Sequence, residues 1–427
     1  SLGSAEAHAA AEALARGRAN PPIAAFRAGP LAQGWASEDE LAAIEAEARA
    51  EVDDAQAFAQ GAQAPGPHEL ETDIFADASA LPDRAPAQPA APAPLPEAGG
   101  RQLTYGAAVT EALAVALERD PAVILLGEDI EDPAGGVVKA TYGLSTRFGR
   151  ERVRGTPISE QAIVGAAIGA SLAGLKPVAE IMINDFAMVC MDQIANHAAK
   201  LRYMSGGRTS VPITIRTLTA GAVGSFGAQH SQSLEAWFTH IPGLKVVAPS
   251  TPADVKGLLL AAIDDPDPVI VLEAMRCYFG PGPVAEGHYA VPLGQAVVRR
   301  AGRDLTIIGY GWAMQEAEAA TAELVAAGID VELIDLRSLV PLDFATVRQS
   351  VERTGRALIV HAAVEFCGFG AELAARLNEA LWGRLKAPVA RVGARYTPIA
   401  FTQSLEALHF PDAARIAARA RALMGAH

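Results

Sequence analysis

The 427-residue chain has only three cysteines, Cys190, Cys277 and Cys367, far apart and without a C-x-x-C pair. That spacing excludes a zinc or redox site of the C-x-x-C type, and a reducing cytoplasm is the expected compartment. Basic residues are in the minority, 35 Lys and Arg against 49 Asp and Glu, and they are dispersed. With a net charge of −14 and no basic face, no nucleic-acid partner is expected. No apolar run approaches the roughly 20 residues that a bilayer requires. The longest, Ala107 to Leu117 and Ile163 to Ala173, are rich in Ala and Gly and read as buried helices, so no membrane partner is expected either. The opening residues show no apolar block behind a basic start, hence no visible secretory signal. A P-loop, a metal-ligand cluster, a Ser/His/Asp order and a short-period repeat are all missing.

What is present is a chain half apolar and one-fifth charged, large enough for two domains and an appendage. Residues 1–80 read as helical, because Ser37-Glu38-Asp39-Glu40 forms a capping box and Leu41, Ile44, Ala48 and Val52 then recur along one face. From 81 to 100 the sequence turns to Pro and Ala, with prolines at 82, 86, 89, 92, 94 and 96. Such a stretch buries too little to fold, so it is read as an extended linker. Short apolar runs then alternate with amphipathic segments, which predicts an α/β fold with two parallel-sheet domains over 101–290 and 291–427. Strands are expected at Val123–Leu126, Lys176–Ile181, Ile213–Arg216, Lys245–Ala248 and Val269–Glu273, and, after a basic connector at Arg299–Arg303, at Leu305–Ile308, Val331–Ile334, Ala357–Val360 and Val389–Val392.

Two polar regions stand out. Thr156-Pro157-Ile158-Ser159-Glu160 sets a carboxylate at the mouth of an apolar helix, which taken alone is better explained as an ordinary acidic N-cap region stabilised by the helix dipole than as chemistry. Gln229-His230-Ser231-Gln232 follows a loop with Gly221, Gly224 and Gly227, whose glycines permit unusual backbone angles and close approach. A surface turn with an ordinary histidine is the plain alternative. Cys367-Gly368-Phe369-Gly370 lacks dinucleotide spacing and reads as close strand-to-helix packing.

In order along the chain, Leu126-Gly127-Glu128-Asp129, Tyr142-Gly143-Leu144, the Thr156–Glu160 segment, Asn184-Asp185-Phe186, Asp192-Gln193-Ile194, the run Ala199–Gly207, His230-Ser231-Gln232-Ser233, Pro242–Val247 and Asp335–Leu339 together resemble the β subunit of the E1 component of 2-oxo-acid dehydrogenase complexes. The resemblance covers almost all of 101–427. Asn20-Pro21-Pro22-Ile23-Ala24 and the acidic stretch ending near Leu70–Phe75 are similar to the tail of the corresponding α subunit.

The resemblance implies a thiamine-diphosphate pyrimidine-binding domain, then a transketolase C-terminal-like domain. It assigns Glu160 to N1′ of the aminopyrimidine, Phe186 to stacking on that ring and Ile158 to the same pocket. His230 becomes the acid–base group for acyl transfer to lipoamide, and Glu128 a carboxylate in a proton passage between active sites. Ile213, Ala262, Ile263, Asp265 and Asp267 match a potassium site. The cofactor's Mg²⁺ belongs to an α-type half, since the sequence contains no Gly-Asp-Gly. Implied partners are that α half, either a separate chain or an N-terminal portion of a longer α–β fusion of which this sequence is part, a second copy in an α₂β₂-like assembly, and the E2 lipoyl acyltransferase. The implied activity is oxidative decarboxylation of a 2-oxo acid, pyruvate or branched-chain. Acetoin cleavage and a non-catalytic scaffold role are the alternatives.

Overall fold

A computed structural model describes residues 17–19, 21–82, 88 and 97–425. They fall into two units, one running to Leu70 and the other from Glu71 onward. In the first unit, helix Pro22–Ala32 precedes helix Glu38–Gly61. The capping box forms as the sequence predicts: Ser37 Oγ accepts from the Glu40 N–H at 3.2 Å, and the Glu40 carboxylate accepts from the Ser37 N–H at 2.8 Å. No side chain of the long helix is buried, and Ile44 and Val52 are exposed. Most of the Pro/Ala stretch read as an extended linker lies outside the described residues.

The second unit holds the strands, β1 (Gln102–Thr104), β2 (Val123–Glu128), β3 (Val153–Thr156), β4 (Lys176–Ile183), β5 (Thr214–Thr219), β6 (Lys245–Val247), β7 (Val269–Ala274) and β8 (Pro281–Pro283), then β9 (Val297–Arg300), β10 (Leu305–Gly309), β11 (Val331–Asp335), β12 (Ser338–Val340), β13 (Ala357–Val364) and β14 (Ala390–Ala394). One sheet has the order β12-β6-β7-β5-β4-β2-β3 and another β14-β13-β10-β11-β9, with β1 and β8 forming a small antiparallel pair. Pairing is parallel except at two edges, where β12 runs against β6 and β9 against β11. The central strands β5 and β7 are buried along their whole length, the pattern of a sheet covered on both faces. Helices Tyr105–Arg119 and Pro252–Asp264 bury their apolar residues against one face, and helix Glu160–Leu172 buries Ile163, Val164, Ala167 and Ile168 against the other. The outward side of that last helix, with Ala162, Ala166 and Gly169, stays exposed, so the expectation of full burial holds for one face only.

Two sequence expectations change in the structure. The basic connector at Arg299–Arg303 begins as strand β9, because Arg299 turns inward to ion-pair with Asp254 and with Asp335 at 2.9 Å. The Asp335–Leu339 motif leads into β12, which leaves the second domain to close the edge of the first domain's sheet on β6.

Close strand-to-helix packing at Gly368 and Gly370 is observed, and its cause is His361 on β13. A Cβ on Gly368 would lie 2.8 Å from the imidazole Cε1, and one on Gly370 2.7 Å from Nε2. The ring is fully buried; Nδ1 lies 3.0 Å from the Ala363 carbonyl, so the proton sits on Nδ1, and Nε2 has no partner among the described residues. Burial lowers the pKa from 6.5 to about 4. An unfolded chain takes up this proton below pH 6.5 while the folded chain refuses it until about pH 4, so stability falls as pH drops through that window. Between about pH 7 and pH 5 the loss should be about 2 kcal/mol, visible as a lower melting temperature, and His361→Asn should flatten the dependence. Equal slopes for the two proteins would refute the assignment.

Candidate active site

Four neighbouring parallel strands, β5, β4, β2 and β3, end on the same edge of the first sheet, and each carboxyl end leads into one predicted site residue. Glu128 is the last residue of β2. Beyond β3, the turn Pro157–Ser159 delivers Glu160 to the first position of its helix, and Ser159 makes no side-chain cap. After β4 a 3₁₀ turn, Asn184–Cys190, carries Phe186, and the glycine loop after β5 carries His230. Crevices at the carboxyl ends of strands are where open α/β sheets bind ligands.

The site residues come together in two contacts. Phe186 and His230 meet edge to face with ring centroids 5.2 Å apart. Glu160 is near enough to Glu128 that its charge, after desolvation and the neighbouring Asp129, raises the Glu128 pKa. Burial first, and then Glu160, also pushes the Cys190 thiol up to about 12, so Cys190 is an inert core residue. The side chains of Glu128, Glu160 and His230 are half-buried and make no hydrogen bond or ion pair among the described residues. Ile158 is 76% exposed at the same rim. An apolar side chain left bare beside these carboxylates fits one wall of an open pocket.

Asn184 and Asp185 were legible only as part of a motif, and the structure gives them a task. Asn184 donates to the Gln232 carbonyl at 2.7 Å and accepts from the Leu234 N–H at 3.1 Å. Asp185 accepts from the Gln232 side chain at 2.7 Å. Together they clip the far end of the His230 loop to the turn bearing Phe186. Burial raises the Asp185 pKa against these bonds.

The residues assigned to potassium lie at the opposite edge, where β5 and β7 begin. Asp267 is 1% exposed and accepts from Arg202 Nε at 2.8 Å and from the Ala76 N–H at 2.9 Å. Lys245 Nζ stands 2.8 Å from Asp265 and 3.0 Å from Asp267. Both carboxylates are thus already neutralised by protein cations, and the Ile213 and Ala262 carbonyls already accept from the Val269 and Asp265 N–H groups at 3.0 and 3.3 Å. Among the described residues no group of three or more His, Cys, Asp or Glu could hold a metal ion, and no helix is long and apolar enough to cross a membrane.

Residues 101–278 match the transketolase pyrimidine-binding domain, and residues 294–416 the transketolase C-terminal domain. The chain is 47% identical over 333 residues to the β subunit of acetoin:2,6-dichlorophenolindophenol oxidoreductase from Cupriavidus necator, covering 76% of this chain and 98% of that one. It belongs to the E1 β-subunit family. A second member, the 2-oxoisovalerate dehydrogenase β subunit of Pseudomonas aeruginosa, is 42% identical, with 75% of this chain and 95% of that one covered. Among solved structures, a split-gene transketolase described as an inactive β4 tetramer superposes with a TM-score of 0.62 at 22% identity, over 76% of this E1 β-type chain and 99% of that one. That likeness concerns the fold. It agrees with the two α/β domains described above.

Proposed function

We propose that this chain is the β half of a thiamine-diphosphate-dependent E1 dehydrogenase, which oxidatively decarboxylates a 2-oxo acid and passes the acyl group to the lipoamide of an E2 acyltransferase. The observation that carries the reading is the alignment of Glu128, Glu160 and His230, three ionisable side chains without a hydrogen bond or ion pair among the described residues, along one strand-end edge beside Phe186. A scaffold has no need to gather such groups on one edge. Bound thiamine diphosphate supplies the carbon nucleophile for cleavage next to a carbonyl. Glu160 would hold and share the proton at N1′ of the aminopyrimidine, Phe186 would offer its face to that ring, and Ile158 would close the pocket against water. His230 would move a proton at the acyl oxygen during transfer, and Glu128 would exchange protons with Glu160 across the interior. The Mg²⁺ and diphosphate would be held by an α-type half in an α₂β₂-like assembly, and a potassium ion, where bound, by the carbonyls named above.

Acetoin cleavage is the second reading, favoured by 47% identity to the acetoin relative against 42% to the 2-oxoisovalerate relative. Calorimetry tests the division of labour: the chain alone should show no micromolar binding of thiamine diphosphate with Mg²⁺, and binding should appear when an α-type half is added. Pyruvate, branched-chain 2-oxo acids and acetoin are then compared in that assembly with an artificial electron acceptor. Micromolar binding without the second half would overturn the claim, and cofactor-loaded assemblies inert toward every substrate would return the scaffold role.

A further inference from the structure

The loop bearing His230 is clipped by Asn184 and Asp185 at its far end, and its near end is shaped by the second domain. A Cβ on Gly221 would stand 2.5 Å from Phe410 Cζ and 2.6 Å from the Ser231 carbonyl. One on Gly224 would stand 2.6 Å from Gln403 Nε2, and one on Gly227 would touch Phe401 at 3.7 Å. Every third residue of the loop is therefore bare of a side chain where the segment Phe401–Phe410 comes against it. Ala222 and Ser225, with φ of 63° and 64°, occupy the left-handed region that non-glycine residues avoid. Such a backbone persists only where its surroundings hold it.

The hold is visible. Glu406, on helix Gln403–His409 and 2% exposed, accepts from the Ala222 N–H at 3.1 Å. A carboxylate bond to a backbone amide is charge-assisted, and in a buried setting its loss leaves the amide without a partner. We propose that Glu406 is a positioning residue, a latch from the second domain that fixes the entry of the glycine loop and so keeps His230 against Phe186. This rests on the acid–base role of His230 proposed above. One end of the loop is secured within the first domain and the other by the second, so the pose of His230 depends on both domains. Helix Gln403–His409 lies far along the chain from the loop it serves.

The test uses the full chain assembled with its α-type half, as Glu406→Ala and Glu406→Gln. Amide hydrogen exchange over 221–230 reads the latch directly: it should quicken by roughly tenfold to a hundredfold in Glu406→Ala and stay near wild type in Glu406→Gln, whose amide oxygen still accepts. Acyl transfer to lipoamide should fall about tenfold or more in the Ala variant, with the KM for the 2-oxo acid and the rate with an artificial acceptor little changed, and Gln should restore most of the loss. Unchanged exchange in Glu406→Ala overturns the proposal. So does a parallel fall of melting temperature and both rates, which is the signature of lost packing. If Glu406→Ala does not fold, Gly224→Ala, whose φ of +99° and contact with Gln403 should lift the loop off its support, must show the same selective loss, and wild-type acyl transfer there is equally fatal. An assembly that exchanges as expected yet catalyses neither reaction in its wild-type form upholds the latch and refutes the functional reading instead.

Discussion

Replacing Glu160 by Gln should lower turnover of the assembled enzyme by about a thousandfold while leaving assembly and cofactor affinity nearly intact. The amide keeps the shape of the carboxylate but cannot take and return the proton at N1′, and positioned proton transfer contributes roughly 10² to 10⁴ in rate. Affinity should survive because it rests mainly on diphosphate and stacking contacts that the substitution does not touch. The position of Glu160 as the first helical residue offers a rival explanation, stabilisation of the helix dipole. Were that its whole purpose, Gln would cost at most about 1 kcal/mol of stability and hardly any activity. His230→Ala should behave differently, slowing transfer to lipoamide more than decarboxylation read with an artificial acceptor. Comparing both assays on both variants separates the two roles, and near-normal turnover of Glu160→Gln would sink the proposed chemistry.

The strands most legible in the sequence were those whose apolar run is fully buried, such as β5, β7, β10 and β11, because burial on both faces leaves a local trace. β3 escaped notice since it is a four-residue edge strand with the sequence Val-Arg-Gly-Thr, and two of its residues are exposed. β9 was hidden by its arginines, whose partners Asp254, Asp335 and Asp330 lie far along the chain. The same limit applies to the site. Glu160, Phe186 and His230 sit in ordered motifs and could be located one by one, whereas their shared sheet edge required the strand order. Asp265 and Asp267 read as an acidic turn or a cation site because nothing nearby in sequence announces that Lys245 and Arg202 bury themselves against them. The spacing of Gly221, Gly224 and Gly227 was visible, but its cause, the segment Phe401–Phe410, was not. What sequence periodicity carries is local; ion pairs and backbone supports between distant segments are not.

One such non-local cluster predicts the largest effect on stability: Arg216→Met should cost about 3–5 kcal/mol near pH 7, because it leaves buried carboxylates without their counter-charge. Arg216 on β5 is flanked in the sheet by β4 and β7, and its guanidinium forks onto Glu273 at 2.6 and 2.9 Å while reaching Glu180 at 2.7 Å. Tyr278 adds a hydrogen bond to Glu273 from its hydroxyl. All these side chains are buried, and desolvation already holds the Glu180 pKa above its ordinary value of 4.5 despite the arginine. Without Arg216 the pKa must rise further, so the folded variant would bind a proton that the unfolded chain has released. A raised folded-state pKa contributes stability that is complete below about pH 4.5 and is lost as pH climbs through the raised value. The deficit of Arg216→Met relative to wild type should therefore shrink on acidification from pH 7 toward 5, and taking the difference at each pH removes the opposite contribution of His361. Adding Glu180→Gln and Glu273→Met should recover most of the loss, as replacement of a whole buried ion cluster often does. Urea midpoints across that pH range decide the matter: a single variant within about 1 kcal/mol of wild type, or a deficit that grows with acid, would show that the cluster does not hold the sheet in this way.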